Sequence, residues 1–138
     1  MAKIGINMVT GTVNQEDVII GIDLGTTNTV VSVQTDSMGP VILEIPQPAI
    51  ERNHLENLPQ IKSAVFFETE NTAVVGTFAN NRLESFRSIK SYMGTRWNAK
   101  HPKTEKFLRP PHINAHILKL AHQTIIKKFS FSTWYAEK

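Results

Sequence analysis

Short runs of apolar, largely β-branched residues, separated by turn-forming residues, fill the first half of the chain. Runs of this kind are typical of buried strands. They predict strands at residues 18–23, 29–35, 41–45, 64–68 and 72–75. Because the first three strands follow one another closely along the chain, we expect them to form a β-meander.

The second half carries apolar residues at helical spacing in two places. In residues 78–93 the stripe consists of Phe78, Leu83, Phe86, Ile89 and Met93. It predicts a helix that ends at Gly94. The prolines at 110 and 111 suit the first turn of a second helix. Its core-facing side is expected to consist of Ile113, Ile117, Leu120 and Ile125. Residues 46–59 and 98–109 are expected to be irregular connections.

The turn between the first two strands has the composition of a phosphate-binding turn. Gly25 allows an anion to approach the backbone. Thr26, Thr27 and Asn28 offer backbone and side-chain donors to phosphate oxygens. Asp23 would repel a polyphosphate unless a divalent cation lay between them, so it predicts Mg2+ held through oxygen ligands and water. Because the same residue types also make ordinary tight hairpins, composition alone leaves both interpretations open.

Length and composition narrow the class of protein. With 138 residues, of which 41% are apolar, the chain can build one hydrophobic core. No run approaches the ~20 apolar residues of a membrane span, and residues 1–17 lack the apolar centre of a signal peptide. The absence of cysteine fits a reducing compartment. The expected location is therefore the cytoplasm, with no membrane partner.

The charges divide unevenly along the chain. Up to Asn81 there are 3 basic and 9 acidic residues, whereas from Arg82 onward there are 12 basic and 3 acidic residues. A basic half that contains Trp97, Trp134 and Tyr135 could hold single-stranded nucleic acid through phosphate attraction and base stacking. Exposed basic helix faces and loops explain the same residues without any nucleic-acid motif. Nucleic acid is therefore not an expected partner.

His112 and His116 stand four residues apart on the second predicted helix. This spacing would place both imidazoles on one face, as in a metal-binding pair. No acid, cysteine or further histidine stands at a suitable third position, so solvated histidines are the preferred interpretation.

Asp23 to Asn28 resemble the first phosphate loop of the heat-shock protein 70 chaperones, which are members of the actin-like ATPase superfamily. Four further segments resemble that family in the same order: Ser63-Ala-Val-Phe-Phe67, Val75-Gly-Thr-Phe-Ala79, Ser88-Ile-Lys-Ser-Tyr-Met-Gly94 and Pro110-Pro-His-Ile-Asn-Ala-His-Ile-Leu-Lys119. The resemblance covers residues 18–120 as a partial nucleotide-binding domain (lobe I). Residues 1–17 are an unmatched N-terminal extension, and residues 121–138 are an unmatched tail. The implied fold class is α/β, an incomplete actin-like (ribonuclease H-like) ATPase lobe with an N-terminal β-meander plus helices.

The resemblance also implies roles for particular residues, with ATP or ADP and Mg2+ as cofactors. Asp23 would help to hold the Mg2+ shell and the attacking water. Gly25, Thr26 and Thr27 would cradle the β- and γ-phosphates, and Asn28 would flank the loop. Lys90 aligns with the catalytic lysine of the family, which reaches the γ-phosphate as a point charge.

The chain departs from the family pattern in several ways. Lys62 replaces the proline expected before Ser63, and Ser91 replaces the arginine expected after Lys90. Nothing after Ile125 resembles the second phosphate loop, the adenosine-binding motif, the interdomain linker or the peptide-binding domain. A cleft with one wall would bind nucleotide weakly and hydrolyse it slowly, if at all.

Two other functions stay open at this point. The chain could be a non-enzymatic interaction module or truncated relic that docks to a full-length chaperone or its co-chaperones. It could also belong to another actin-like class such as the sugar kinases, although no sugar site is recognisable. The unmatched tail is expected to leave the first sheet with an unpaired edge, which favours self-association or a partner that supplies strands.

Overall fold

The computed structural model of this protein describes residues 2–6, 17–37, 39–129 and 134–136. In chain order the strands are β1 (Ala2–Ile6), β2 (Asp17–Leu24), β3 (Asn28–Thr35), β4 (Val41–Ile42), β5 (Ile45–Pro48), β6 (Leu55–Leu58), β7 (Ile61–Lys62), β8 (Ala64–Phe67), β9 (Ala73–Val75), β10 (Phe86–Arg87), β11 (Ala99–Lys100), β12 (Phe107–Leu108) and β13 (Trp134–Ala136). The helices are α1 (Thr77–Asn80), a 3-10 helix (Ile89–Tyr92) and α2 (Pro110–Phe129). The described part is thus a mixed α/β structure with several small antiparallel sheets and few helices.

The β-branched runs at the start of the chain build the largest sheet. Strands β1 to β4 are consecutive antiparallel neighbours, and β7 also pairs with β3. Val18 and Ile20 on β2 and Val31 and Val33 on β3 are buried, because alternate residues of a strand face the same side. The predicted meander is therefore confirmed. Its third strand is shorter than predicted, since β4 ends at Ile42.

β2 is not an outer strand of the first sheet, so the unpaired edge that the sequence predicts for this sheet does not lie at β2. β1, which lies in the predicted N-terminal extension, pairs with β2 from Ala2 opposite Ile20 to Gly5 opposite Asp17. β13, which lies in the predicted C-terminal tail, pairs in turn with β1. Residues 18–20 of β2 thus have a strand partner on both sides, whereas residues 21–24 pair with β3 alone among the described strands. Residues 1, 7–16, 130–133 and 137–138 of these two terminal segments lie outside the described residues.

The prediction of an irregular connection at residues 46–59 was wrong, because β5 and β6 form an antiparallel hairpin there. Ile45 and Gln47 are both buried, so β5 has the alternation of a strand. The side-chain amide of Gln47 donates to the carbonyl oxygens of Ile45 and Gln60. A buried glutamine flanked by two prolines gives no apolar alternation, which is why the sequence pattern missed this strand.

The prediction of one helix over residues 78–93 was also wrong. Only Thr77–Asn80 is α-helical, and a turn, β10 and the 3-10 helix follow. Leu83 is 99% exposed, whereas Phe86 pairs with Val65 in the small sheet formed by β10, β8 and β9. Ser88 has a positive φ of 56°, which a helix cannot continue through. The apolar residues of this segment are thus distributed over one strand, two short helices and the turns between them.

The second predicted helix is confirmed as α2. Ile113, Ile117, Ala121 and Ile125 are buried against the core, while Leu120 is partly buried. Residues 98–109 are not wholly irregular as predicted, because β11 and β12 pair there as a short hairpin. Within the described ranges, no helix is long and apolar enough to cross a membrane.

Candidate functional site

The turn between β2 and β3 is tight around Gly25. The backbone N–H of Gly25 lies 3.0 Å from the carbonyl oxygen of Asn28 and 3.1 Å from that of Asp23. A Cβ at position 25 would lie within 3.0 Å of the Asn28 carbonyl oxygen, which belongs to the paired backbone. Glycine is therefore required by this close approach, and the turn is a preformed structure.

The side chains predicted to contact phosphate and Mg2+ lie on the outer surface of this turn. Asp23, Thr26 and Thr27 are exposed. Among the described residues, none donates a hydrogen bond to the Asp23 carboxylate or forms an ion pair with it. The backbone N–H groups and hydroxyls of Thr26 and Thr27 likewise have no partner in that part of the chain. The turn thus presents donors beside one uncompensated carboxylate, a combination that suits an anion accompanied by a cation.

Asn28 occupies a less exposed position at the start of β3. Its backbone pairs with Lys62 of β7, and its side-chain oxygen Oδ1 is buried with no hydrogen-bond partner in the described structure. A buried acceptor without a donor is costly, so a ligand or an ordered water that donates to it would be stabilising. Asn28 thus follows the turn directly, and its role beside a bound phosphate stays a prediction.

Lys90 lies on the exposed side of the 3-10 helix. Ile89, the residue before it, is 4% exposed and fixes the helix to the core. No described carboxylate lies within ion-pair distance of the Lys90 ammonium group. This lysine is therefore available for an anionic ligand, although its segment is not part of the loop.

Ser63 connects the two predicted site segments and was not singled out by the sequence as a site residue. Its N–H donates to the carbonyl oxygen of Thr27, and its own carbonyl oxygen accepts from the N–H of Ser88. The structure thus brings the phosphate loop and the segment that carries Lys90 to opposite sides of one serine. The only signal in the sequence was the position of Ser63 at the start of a segment that resembles the family.

The candidate site is an open turn and not a deep cavity. A groove of about 870 Å3 lies instead between the β5–β6 hairpin and the C-terminal half of α2. Pro46, Leu55, Leu120 and Lys127 are among the residues that line it, and no residue of the phosphate loop does. Its size therefore says nothing about nucleotide binding.

The histidines of α2 do not form a metal site with other described residues, since no group of three potential ligands occurs among them. His112 is exposed, and its Nδ1 accepts a hydrogen bond from the N–H of Arg109. His116 is only partly exposed and packs edge-on against Phe67, with ring centres 5.3 Å apart. The expectation of two solvated histidines thus holds for His112 only.

The packing of His116 predicts a pH-dependent stability. Partial burial lowers its pKa below the ordinary value, and the positive charges of Lys119 and His101 lower it further. The unfolded chain then binds the proton more readily, so the stabilising contribution of neutral His116 is fully present above about pH 6.5 and is lost as the pH falls from there through the lowered pKa of the folded state. We expect the unfolding midpoint to decrease less between about pH 7.5 and 5.5 in His116→Gln than in the wild type. Thermal unfolding followed by circular dichroism measures this, and His112→Gln, a change at an exposed position, is the control.

Trp97 is not a free stacking platform for a nucleic-acid base. Its ring stacks on Tyr92 at 4.8 Å and meets Phe86 edge-on at 6.4 Å. Trp134 and Tyr135 are residues of β13. The structure therefore adds nothing in favour of a nucleic-acid interface.

The fold and the loop define a mixed α/β protein with a surface turn suited to a metal-accompanied anion. The chain is similar to three bacterial proteins named Chaperone protein DnaK. The relative from Mesomycoplasma hyopneumoniae strain 232 is 35% identical over 117 residues, which are 82% of this chain and 17% of the relative. The relative from Mycoplasmopsis agalactiae is 37% identical over 107 residues, or 75% of this chain and 16% of the relative. The relative from Trichormus variabilis is 32% identical over 93 residues, which are 64% of this chain and 12% of the relative.

These similarities support a relation to heat-shock protein 70 chaperones over a short region. The chain spans about 17% of the length of the first relatives that it matches. No protein-family model matches the chain. The similarity therefore does not by itself assign the activity of a whole chaperone to this chain.

Proposed function

We propose that this chain is the first phosphate-binding part of a heat-shock protein 70 type ATPase and that it binds ATP or ADP with Mg2+ in the cytoplasm. The observation that carries the proposal is the turn at Gly25, where exposed donors lie beside the Asp23 carboxylate, which has no ion-pair partner among the described residues. The similarity to chaperones supports it. The actin-like lobe architecture, with residues 18–120 as its partial domain, belongs to the same proposal.

Each residue of the loop would make a different contact with the nucleotide or its metal ion. Gly25 allows the tight turn around the Asn28 carbonyl oxygen, and Thr26 and Thr27 would donate to phosphate oxygens through N–H and hydroxyl groups. Asp23 would hold Mg2+ through water, and the metal would neutralise the charge of the phosphates. Lys90 would supply a second positive charge to the terminal phosphate.

We expect this chain to bind nucleotide but to hydrolyse it slowly, if at all. Asp23, Thr26, Thr27 and Lys90 are all exposed to solvent. Electrostatic stabilisation of a transferring phosphoryl group depends on donors preorganised in a water-poor site. We therefore propose nucleotide binding as the function of this site, with hydrolysis slow or absent.

A second candidate is a non-enzymatic interaction module that docks to a full-length chaperone or a co-chaperone. Exposed apolar side chains on the largest sheet favour it: Ile22 on β2 is 42% exposed, and Val41 and Ile42 on β4 are 45% and 51% exposed. Apolar surface of this kind is covered in many proteins by a partner or a second copy. In this case mutation of the phosphate loop would leave partner binding unchanged.

Thermal unfolding with and without MgATP tests the proposed function. A ligand that binds only the folded form stabilises it by about 1.4 kcal/mol at ten times its Kd, so the midpoint rises. Asp23→Ala is expected to abolish the rise, whereas Asp36→Ala removes an exposed carboxylate from another turn and should leave it intact. Any phosphate release should likewise disappear in Lys90→Ala and persist in Lys106→Ala. A wild-type chain that unfolds cooperatively at the same midpoint with and without nucleotide would contradict nucleotide binding and favour the interaction module.

A further inference from the structure

We infer that Ser63 is a positioning residue that sets the phosphate loop and the Lys90 segment in one fixed arrangement. The inference rests on the proposed function, because it assigns a role within the same site. Ser63 is 7% exposed and stands between β7 and β8, behind the exposed groups that are proposed to bind the ligand. Its backbone and side chain together make four hydrogen bonds to other parts of the site.

The loop side of the connection is held by two bonds from Ser63. Its N–H donates to the carbonyl oxygen of Thr27 at 2.8 Å, and its hydroxyl donates to the carbonyl oxygen of Gly25 at 2.8 Å. Both acceptors lie within the three-residue turn, so the turn is fixed at its two ends. With these carbonyls bound inward, the N–H groups of Thr26 and Thr27 keep no described partner and are left for a ligand.

The direction of these bonds follows from the number of protons. The Ser63 hydroxyl has one hydrogen, and the Gly25 carbonyl can only accept it. The 3.0 Å contact between Thr29 Oγ1 and Ser63 Oγ must therefore be a donation from Thr29 to Ser63. Thr29 is completely buried, so it has no water to bond instead. The result is a directed chain from Thr29 through Ser63 to Gly25, which loses both bonds if the Ser63 hydroxyl is removed.

The contact between Ser63 and the segment that carries Lys90 continues the pairing of β8 with β10. Ala64 pairs with Arg87, and the next bond runs from the N–H of Ser88 to the carbonyl oxygen of Ser63 at 3.4 Å. Ser88 adopts the left-handed conformation, with φ 56° and ψ 33°, and its carbonyl oxygen accepts from both the N–H and the hydroxyl of Ser91. A serine in this conformation persists only where its surroundings hold it. The bond to Ser63 thus helps to set the start of the 3-10 helix that carries Lys90.

Hydrogen exchange of the nucleotide-free chain tests the connection without relying on ligand binding. In Ser63→Ala, the amides of Gly25 and residue 63 on the loop side and of Ser88 and Ser91 on the lysine side should all exchange about tenfold faster. The amide of Ile117 in α2 should change less. Ile125→Val, which removes one methyl group from the core, is the control for a general loss of stability. Faster exchange on one side only, no change on either side, or the same increase everywhere as in Ile125→Val would overturn the inference.

MgATP affinity, measured by titration calorimetry below the unfolding transition of every variant, gives the functional readout. Ser63→Ala should weaken binding about tenfold, and Ser63→Thr, which keeps the hydroxyl, should restore it. Equal affinity of the wild type and Ser63→Ala would overturn the positioning role. If the wild type does not bind nucleotide, the proposed function fails, and the exchange result still decides whether Ser63 couples the two segments. If Ser63→Ala does not fold, Thr29→Val serves instead, because it removes one of the two bonds of the Ser63 hydroxyl and should show the same two-sided pattern at about threefold.

Discussion

Gly76→Ala is expected to lower the free energy of unfolding by about 2–6 kcal/mol, through backbone strain of about 1–3 and overpacking of about 1–3 kcal/mol. Gly76 has φ 107° and ψ −150°, a region of conformational space that only glycine adopts readily. An added Cβ would also lie within 3.0 Å of Oε1 of Gln47, whose side chain is fully buried and held by two hydrogen bonds. A loss of this size is a large part of the stability of a small domain. Urea unfolding measures it.

Two other glycines, Gly94 and Gly39, provide controls for Gly76→Ala. Gly94 has φ 78° but open space where an added methyl group would lie, so Gly94→Ala should show the backbone cost alone. Gly39 has neither a positive φ nor a neighbour within 4 Å, so Gly39→Ala should change stability little. If Gly76→Ala and Gly94→Ala cost the same, the contact with Gln47 is not part of the effect.

Gly25→Ala is expected to combine a loss of stability of about 1–3 kcal/mol with a loss of MgATP binding. The added methyl group would meet the backbone carbonyl of Asn28, which cannot rotate away as a side chain could. Relief requires the turn to open, which breaks the bond from the Gly25 N–H to that carbonyl and moves the donors of Thr26 and Thr27. Urea unfolding and calorimetric titration with MgATP measure the two effects separately.

The control for Gly25→Ala is a change that has a similar cost in stability outside the loop. Ile117→Val removes one buried methyl group from α2 and should cost about 0.5–1.5 kcal/mol. It should leave MgATP affinity unchanged. Retention of wild-type affinity by Gly25→Ala would mean that the geometry of this turn is not what binds the nucleotide.

Elements whose signal is local were predictable from the sequence. β2 and β3 were predicted from short runs of β-branched residues, and alternate residues of each run face the core. In α2 the buried residues Ile113, Ile117, Ala121 and Ile125 recur every four residues, and prolines begin the helix. The residues of the phosphate turn were also identified, because tight turns and anion sites require particular residue types. Their roles in binding stay predictions.

Elements that depend on distant partners were not predictable. Phe86 and Ile89 have the spacing of a helix, yet Phe86 belongs to a strand because Val65 lies opposite it. Gln47 does not mark a strand in the sequence, and its burial depends on the carbonyl oxygens of Ile45 and Gln60, which accept from its side-chain amide nitrogen. In both cases a contact between residues far apart along the chain overrides the local preference.

The sequence by itself determined the meander, helix α2 and the composition of the turn between β2 and β3, because each of these depends on residues within one short segment. Only the tertiary structure decided that β1 covers the edge of β2 and that Ser63 lies between the phosphate loop and the Lys90 segment. Ser63 and Gly25 are 38 positions apart, and Ser88 lies a further 25 positions along the chain. No pattern of neighbouring residues encodes such a juxtaposition, since it arises from pairing of the strands around it.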